Sequence, residues 1–471
     1  MPVTSIYILL LTAAAGAALW ISGRLIKGDQ LPGLQQWILI IASLLFAAWS
    51  DWRFALILLL MCLTTWLTAR RKSTVKYGIL LALLALAWFK YLNFFLDSFR
   101  NLLGQDLPVR KLLLPLGISF YTFSAVSYLA DVYRGKLEAR SFREVAVYLT
   151  FFPKLTSGPI ARSGEFLRQM EHPRRVGAAS LGAGIQIFLF GLFKKVVLAD
   201  RLSVFVDQVY GAPLVFSSLT VALAVLAYAL QIYLDFSGYS DMAIGIAKIL
   251  DVDLPANFNL PYFSRNVTEF WKRWHITLSS WLQDYLYIPL GGSRRGQVRT
   301  YVNLILTMTI GGLWHGASWT YVIWGLLHGL ALTVHKLWRS RPGQRKYNGF
   351  TAAVSTAGTF LFVSLCWIFF RAESLPKAMT ILYALFSFRP GVQQLYVWLF
   401  AAVLLYLVCG GAAACRSRKA SPAKPGFSPV RGFYPTWNLS SFWGLTALFV
   451  LIGLILGLAY TGGSPFIYGG Y

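Results

Sequence analysis

Residues 5–23 carry no charged side chain, and neither do residues 439–460. Each run is about the 20 residues that a helix needs to cross the hydrocarbon of a bilayer. Similar runs recur along the chain and give roughly 11 to 13 membrane-embedded segments. The fold class expected is therefore all-α, a polytopic bundle of transmembrane helices. Composition agrees, since 13 % of the residues are charged, against about 25 % in a soluble globular chain. Some apolar runs are too short or too interrupted to span simply, namely 54–68, 145–152 and 274–290. Broken segments at membrane depth survive when they are buried in protein or line a wet cavity, so some of these are expected to be re-entrant or internal.

The net charge is +25, yet nucleic acid is not the partner it implies. The basic residues gather in short loops between apolar runs, at 24–27, 70–76, 134–143, 339–346 and 416–431. That is the pattern of cytoplasmic loops under the positive-inside rule, with a second role toward anionic lipid or cofactor phosphates left open. No basic stretch precedes the first apolar run, which argues against a cleaved signal peptide and for an N-terminus outside. Loop 416–431 then lies inside, and the last helix exits to leave residues 461–471 outside.

Residues 151–296 are the least continuously apolar part, broken by prolines, glycines and charges. The chain shows no internal repeat and no soluble domain. It reads as a single integral-membrane domain, with N-terminal helices over 1–89, a core over 90–345, and C-terminal helices with an extracytoplasmic tail over 346–471. The four cysteines, Cys62, Cys366, Cys409 and Cys415, form no CxxC pair and sit in or beside apolar runs, so neither a disulfide framework nor a metal is expected. Walker A, GxGxxG and GxSxG patterns are absent.

Five histidines occur in the chain, and two sit in Trp-His pairs, Trp274-His275 and Trp314-His315. An ionisable residue at bilayer depth is a functional-site hypothesis by default. His315 is flanked by Gly311, Gly312 and Gly316, a place to break helix and expose an imidazole to a cavity. A neutral imidazole can take the proton of an alcohol as that alcohol attacks a thioester; the alternative is a structural histidine bonded to a backbone carbonyl. His275 sits among Glu269, Lys272, Arg273 and Asp284, which suggests an internally paired charge network in which it orients other groups. His328 reads as structural, and His172 and His335 as interfacial or solvated. Asp235 and Asp241 flank a DFSGYS turn, where Asp241 can cap the following helix. Lys194, Lys195, Arg294 and Arg295 abut apolar runs on the inner side, either as anchors or as receivers of cofactor phosphates.

Around these residues the chain resembles the membrane-bound O-acyltransferase family, in its bacterial AlgI-like, alginate O-acetyltransferase branch. The stretches that carry the likeness are SFYTFSAVSYLADVYRG (119–135), FFPKLTSGPIAR (151–162) and YLDFSGYSDMAIGIAKIL (233–250). It continues through 256–292, LWHGASWTYVIWGLLHG (313–329) and WIFFRA (367–372). It runs from about residue 90 onward.

The resemblance implies a ring of helices around tilted and re-entrant segments, with a central tunnel. His315 matches the family's catalytic histidine and His275 the second motif position. Acetyl-CoA is implied as donor, entering from the cytoplasm, with no metal. The acetyl group is expected to reach an extracytoplasmic polysaccharide, such as alginate, through SGNH-type acetyltransferase partner proteins. A D-alanyl transferase of teichoic acids and a transporter are the rival readings; the inverted repeats of a transporter are not apparent. Tyr468, in the tail GGSPFIYGGY, resembles a tyrosine proposed to relay the acyl group outward, the other reading being an interfacial anchor.

Overall fold

The computed structural model describes residues 5–104, 112–339, 348–417, 437–460 and 462. They are helical almost throughout, and the one β-bridge among them joins Phe216 to Val392. Seven helices are long and apolar enough to cross a membrane, with three shorter apolar helices, Leu375–Phe386, Val397–Val408 and Phe442–Leu458. The chain is a multi-pass membrane protein. Its apolar side chains lie on both sides of the same helices: Leu19, Leu39 and Leu58 are buried, whereas Leu10, Leu45 and Leu60 are exposed.

By packing, the chain forms two compact units, residues 1–189 with 239–255, and residues 190–238 with 256–471. In the first, the helices Gln30–Ser50, Trp52–Ala69 and Ile118–Tyr133 pack around the nine-residue helix Phe142–Thr150. Residues 145–150 of that short helix are wholly buried, as expected for a segment that cannot span. Residues 54–68, by contrast, are not a short internal segment. They lie in the 18-residue helix Trp52–Ala69, whose start is capped by Asp51 accepting from the Arg53 N–H.

The second unit carries both Trp-His pairs. A buried aromatic and aliphatic core runs through it, drawn from residues 197–236, 258–274 and 363–406. The helices Gln297–His315 and Trp319–Arg339 form an antiparallel hairpin. A Cβ on Gly312 would stand 2.3 Å from the Tyr321 carbonyl oxygen, and one on Gly325 2.3 Å from that of Met308. Glycine is thus needed for the two backbones to touch. These glycines pack helices; they do not break one, since the helix runs unbroken to His315.

Asp235 and Asp241 flank no turn either. Both lie inside the continuous 32-residue helix Ser218–Ile249, so Asp241 is not a cap. The glycine of the DFSGYS stretch, Gly238, is there for close approach: a Cβ would stand 2.7 Å from the Gly191 carbonyl oxygen.

Candidate active site

The second Trp-His pair closes a helix, and the first opens one. His275 has φ 42° and ψ 54°, left-handed values at the junction between Val267–Arg273 and Ile276–Leu282. Asn257 holds this junction. Its carbonyl oxygen accepts from the Ile276 N–H (2.9 Å), and its side-chain oxygen from the Thr277 hydroxyl (2.9 Å). A non-glycine residue in this region costs about 1–3 kcal/mol and persists where its surroundings dictate it, often at a working site.

The break turns the His275 ring inward. It is completely buried, meets Phe236 edge-on (4.7 Å between centroids), and stands 6.1 Å from the ring of His315. Among the described residues, neither ring nitrogen of His275 has a hydrogen-bond partner. In a neutral imidazole one nitrogen is a donor and the other an acceptor, so both capacities are left to whatever enters. An unsatisfied buried polar group costs about 1–3 kcal/mol.

The charges near His275 in sequence do not form a network with it. Glu269 pairs with Arg273 (2.7 Å) and Arg265 (3.4 Å) along its own short helix, half in solvent. Burial pushes the Glu269 carboxyl up, but the Arg265 N–H and the guanidinium charges of Arg273 and Arg265 outweigh it and hold it below the usual range. Asp284 lies half-buried on the π-helical turn Gln283–Tyr287.

His315, also buried, is boxed by Trp314 (5.0 Å), Trp324 (5.3 Å) and Phe370 (5.4 Å). Behind Trp324, Trp367 stacks at 5.4 Å and packs in turn on Trp274 at 4.8 Å. His328, one turn beyond Trp324, accepts from the Trp271 indole N–H at its Nδ1 (3.3 Å), so its proton sits on Nε2. Trp324, Trp367, Phe370 and Phe236 were not among the residues singled out by sequence. The signal for the first was present in WGLLHG, where Trp324 and His328 are four apart and share a helix face.

A cavity of about 720 Å³ opens beside this centre. Its wall includes Trp271 and Ile276, the latter next to His275; Lys272, Lys336 and Arg339 line it too, with Thr268 and His335 bonded to each other (2.8 Å). His335, read as interfacial, is thus part of a cavity wall. Ser293 lines the same cavity and accepts from Lys336 Nζ (2.9 Å); Arg294 and Arg295 follow it on the exposed turn.

Lys194 and Lys195 are elsewhere. Both are buried on the π-helical segment Phe193–Ala199. Lys195 bridges Asp200 and Asp235, 2.7 Å to each, and Lys194 donates to Ser237 (3.1 Å). The carbonyl of Val196, the next residue in the chain, accepts from the Tyr460 N–H (2.9 Å). Burial and these polar partners hold the two lysines inside the protein rather than on a surface that meets phosphates. Tyr468 lies outside the described residues, as do most of 416–431 and the side chains of Cys409 and Cys415. Cys62 and Cys366 are buried free thiols. Among the described residues no group of three His, Cys, Asp or Glu could hold a metal.

Comparison with known proteins bears on this geometry. A probable alginate O-acetylase of Pseudomonas aeruginosa is 40 % identical over 376 residues, 76 % of this chain and 70 % of that protein. A peptidoglycan O-acetyltransferase of Helicobacter pylori is 39 % identical over 343 residues, 67 % of this chain and 64 % of that protein. A teichoic acid D-alanyltransferase of Streptococcus thermophilus is 28 % identical over 321 residues, 60 % of this chain and 75 % of that protein. The profile of the membrane-bound O-acyltransferase family matches residues 42–371, beginning well before the stretches that carried the likeness in sequence and taking in both Trp-His pairs. The chain belongs to the membrane-bound O-acyltransferase family.

Proposed function

We propose that this acyltransferase takes acetyl groups from acetyl-CoA at the cytoplasmic face of a bacterial inner membrane and passes them across for O-acetylation of an extracytoplasmic polysaccharide. The observation that carries the reading is the pair of buried imidazoles, 6.1 Å apart, one of them with both nitrogens unpartnered. His315 acts as general base. It removes the proton of the accepting hydroxyl as the oxygen attacks the thioester carbon, and returns that proton to the departing thiolate. His275 orients the acyl group or serves as acid. The 720 Å³ cavity that reaches Ile276 supports entry of a long, anionic acyl donor. Its basic wall of Lys272, Lys336 and Arg339, continued by Arg294 and Arg295, suits phosphates. Lys195, already neutralised by two carboxylates, does not.

The relatives named for O-acetylation match at 39–40 % identity and the one named for D-alanyl transfer at 28 %, which favours acetyl. Outward delivery is assigned to Tyr468 or to an SGNH-type partner protein that receives the group. Replacement of His315 by Ala or Gln is the test. Polymer acetylation should fall by about 10²–10⁴ while membrane insertion and polymer export continue. A well-folded variant with full activity overturns the reading.

A further inference from the structure

We propose that Trp324 is a catalytic residue whose indole N–H holds the oxyanion formed when the thioester carbonyl beside His315 is attacked. The inference rests on the acyl-transfer reading above and adds a group to it.

In the aromatic stack behind the site, the indole N–H groups of Trp271, Trp324 and Trp367 differ. That of Trp271 donates to His328 Nδ1 (3.3 Å), and that of Trp367 to the Tyr262 hydroxyl (3.2 Å). That of Trp324 finds no acceptor among the described residues, although Trp324 is only 1 % exposed. Buried tryptophans usually satisfy this donor, so an unmet one needs a reason. Trp324 is also the indole of the three that touches His315, at 5.3 Å and nearly perpendicular (86°).

The ring is fixed before any substrate arrives. Trp367 stacks on it (19° between planes), His328 meets it at 5.0 Å, and the next residue, Gly325, is pressed against the Met308 carbonyl. A donor held in place in a water-poor site, and needing no reorganisation, is what stabilises a developing oxyanion.

The step balances. The hydroxyl oxygen bonds to the carbonyl carbon as its proton passes to His315, and the carbonyl π pair moves onto oxygen, where it accepts from Trp324 Nε1–H. Collapse restores the carbonyl and breaks the C–S bond, and the thiolate leaves with the proton from His315.

The test uses the full chain in proteoliposomes, reading coenzyme A release from acetyl-CoA with a thiol reagent. Trp324→Phe keeps a ring but removes the donor. Encoding 3-benzothienylalanine at 324 keeps the indole shape and puts sulfur in place of the N–H, which guards against a folding defect. Both variants should lose about 10²–10³ in kcat, the worth of one oxyanion donor. KM for acetyl-CoA should stay near that of the unmodified protein, as should thermal unfolding of the benzothienyl variant. A benzothienyl variant with normal kcat overturns the role of Trp324 while leaving acyl transfer intact. If the unmodified chain releases no coenzyme A, or His315→Ala releases it equally fast, the underlying reading falls and this inference falls with it.

Discussion

Asp235 and Phe236 are neighbours on one helix, and they support opposite kinds of buried polar chemistry. Asp235 joins Asp200 in holding the Lys195 ammonium, each at 2.7 Å. Phe236 presses on His275, whose two nitrogens have no partner among the described residues. One group is charge-paired by its surroundings, and the other is held in a left-handed backbone and left unsatisfied. A paired buried charge is tolerated only while its partners stay in place. An unsatisfied buried imidazole is tolerated for what it does to a substrate.

The sharpest way to break that contrast is to strip one partner from the charge-paired side. Asp235→Ala leaves the Lys195 charge with a single carboxylate in a buried site. Breaking a buried pair this way should cost about 3–5 kcal/mol, seen as a large drop in the unfolding midpoint in detergent. Replacing the group together, as Lys195→Met with Asp200→Leu and Asp235→Leu, should recover most of the loss, because no charge is left unpaired. If the triple variant is as damaged as the single one, the cluster contributes more than charge balance.

The unsatisfied side should respond in the opposite sense. His275→Phe fills the same aromatic box without unpaired nitrogens. It should match or exceed the parent in stability, by about 1 kcal/mol, while acetyl transfer falls by about 10² or more. A variant that is both less stable and fully active would place His275 with Asp235, as structure.

Much of this was legible in the sequence, for reasons that differ by region. The helical class and the membrane follow from uncharged runs such as 5–23, because the bilayer punishes charge regardless of tertiary detail. His275 and His315 stood out because imidazoles are rare among apolar residues. What failed was the reading of glycines. Gly238 and Gly312 were consistent with turns and breaks, yet each sits inside a helix where another backbone comes within van der Waals contact, whereas Gly316 does stand where its helix ends. One-dimensional context does not separate a glycine that bends its own chain from one that admits a neighbour. Lys195 was misplaced for a related reason, since Asp235 lies 40 positions away and only the folded chain brings the two together.

The glycine assignment gives the next prediction. Gly312→Ala drives a Cβ to 2.3 Å from the Tyr321 carbonyl oxygen. Overpacking of this kind should destabilise by about 1–3 kcal/mol. Because His315 is three residues on, at the end of the same helix, the rate should fall as well. Gly349→Ala, at a glycine with nothing within 4 Å of the added carbon, should leave both unchanged. Equal behaviour of the two variants would remove the close-packing role.

The smallest effect is expected at Glu269, the charge that sequence placed in a network with His275. Its partners Arg265 and Arg273 are each four residues away on a half-exposed face, so solvent screening limits the pair to about 0.2–1 kcal/mol. The sign follows from the depressed carboxyl pKa. Its stabilisation is present above the ordinary value of 4.5 and fades as pH falls through the lower folded value. Glu269→Gln should therefore lower the unfolding midpoint slightly at pH 7, and the difference from the parent should close in acid. Acetyl transfer at pH 7 should be unaltered, since Glu269 bonds to neither ring nitrogen of His275. A rate loss of ten-fold or more in Glu269→Gln would join this ion pair to the Trp-His centre after all.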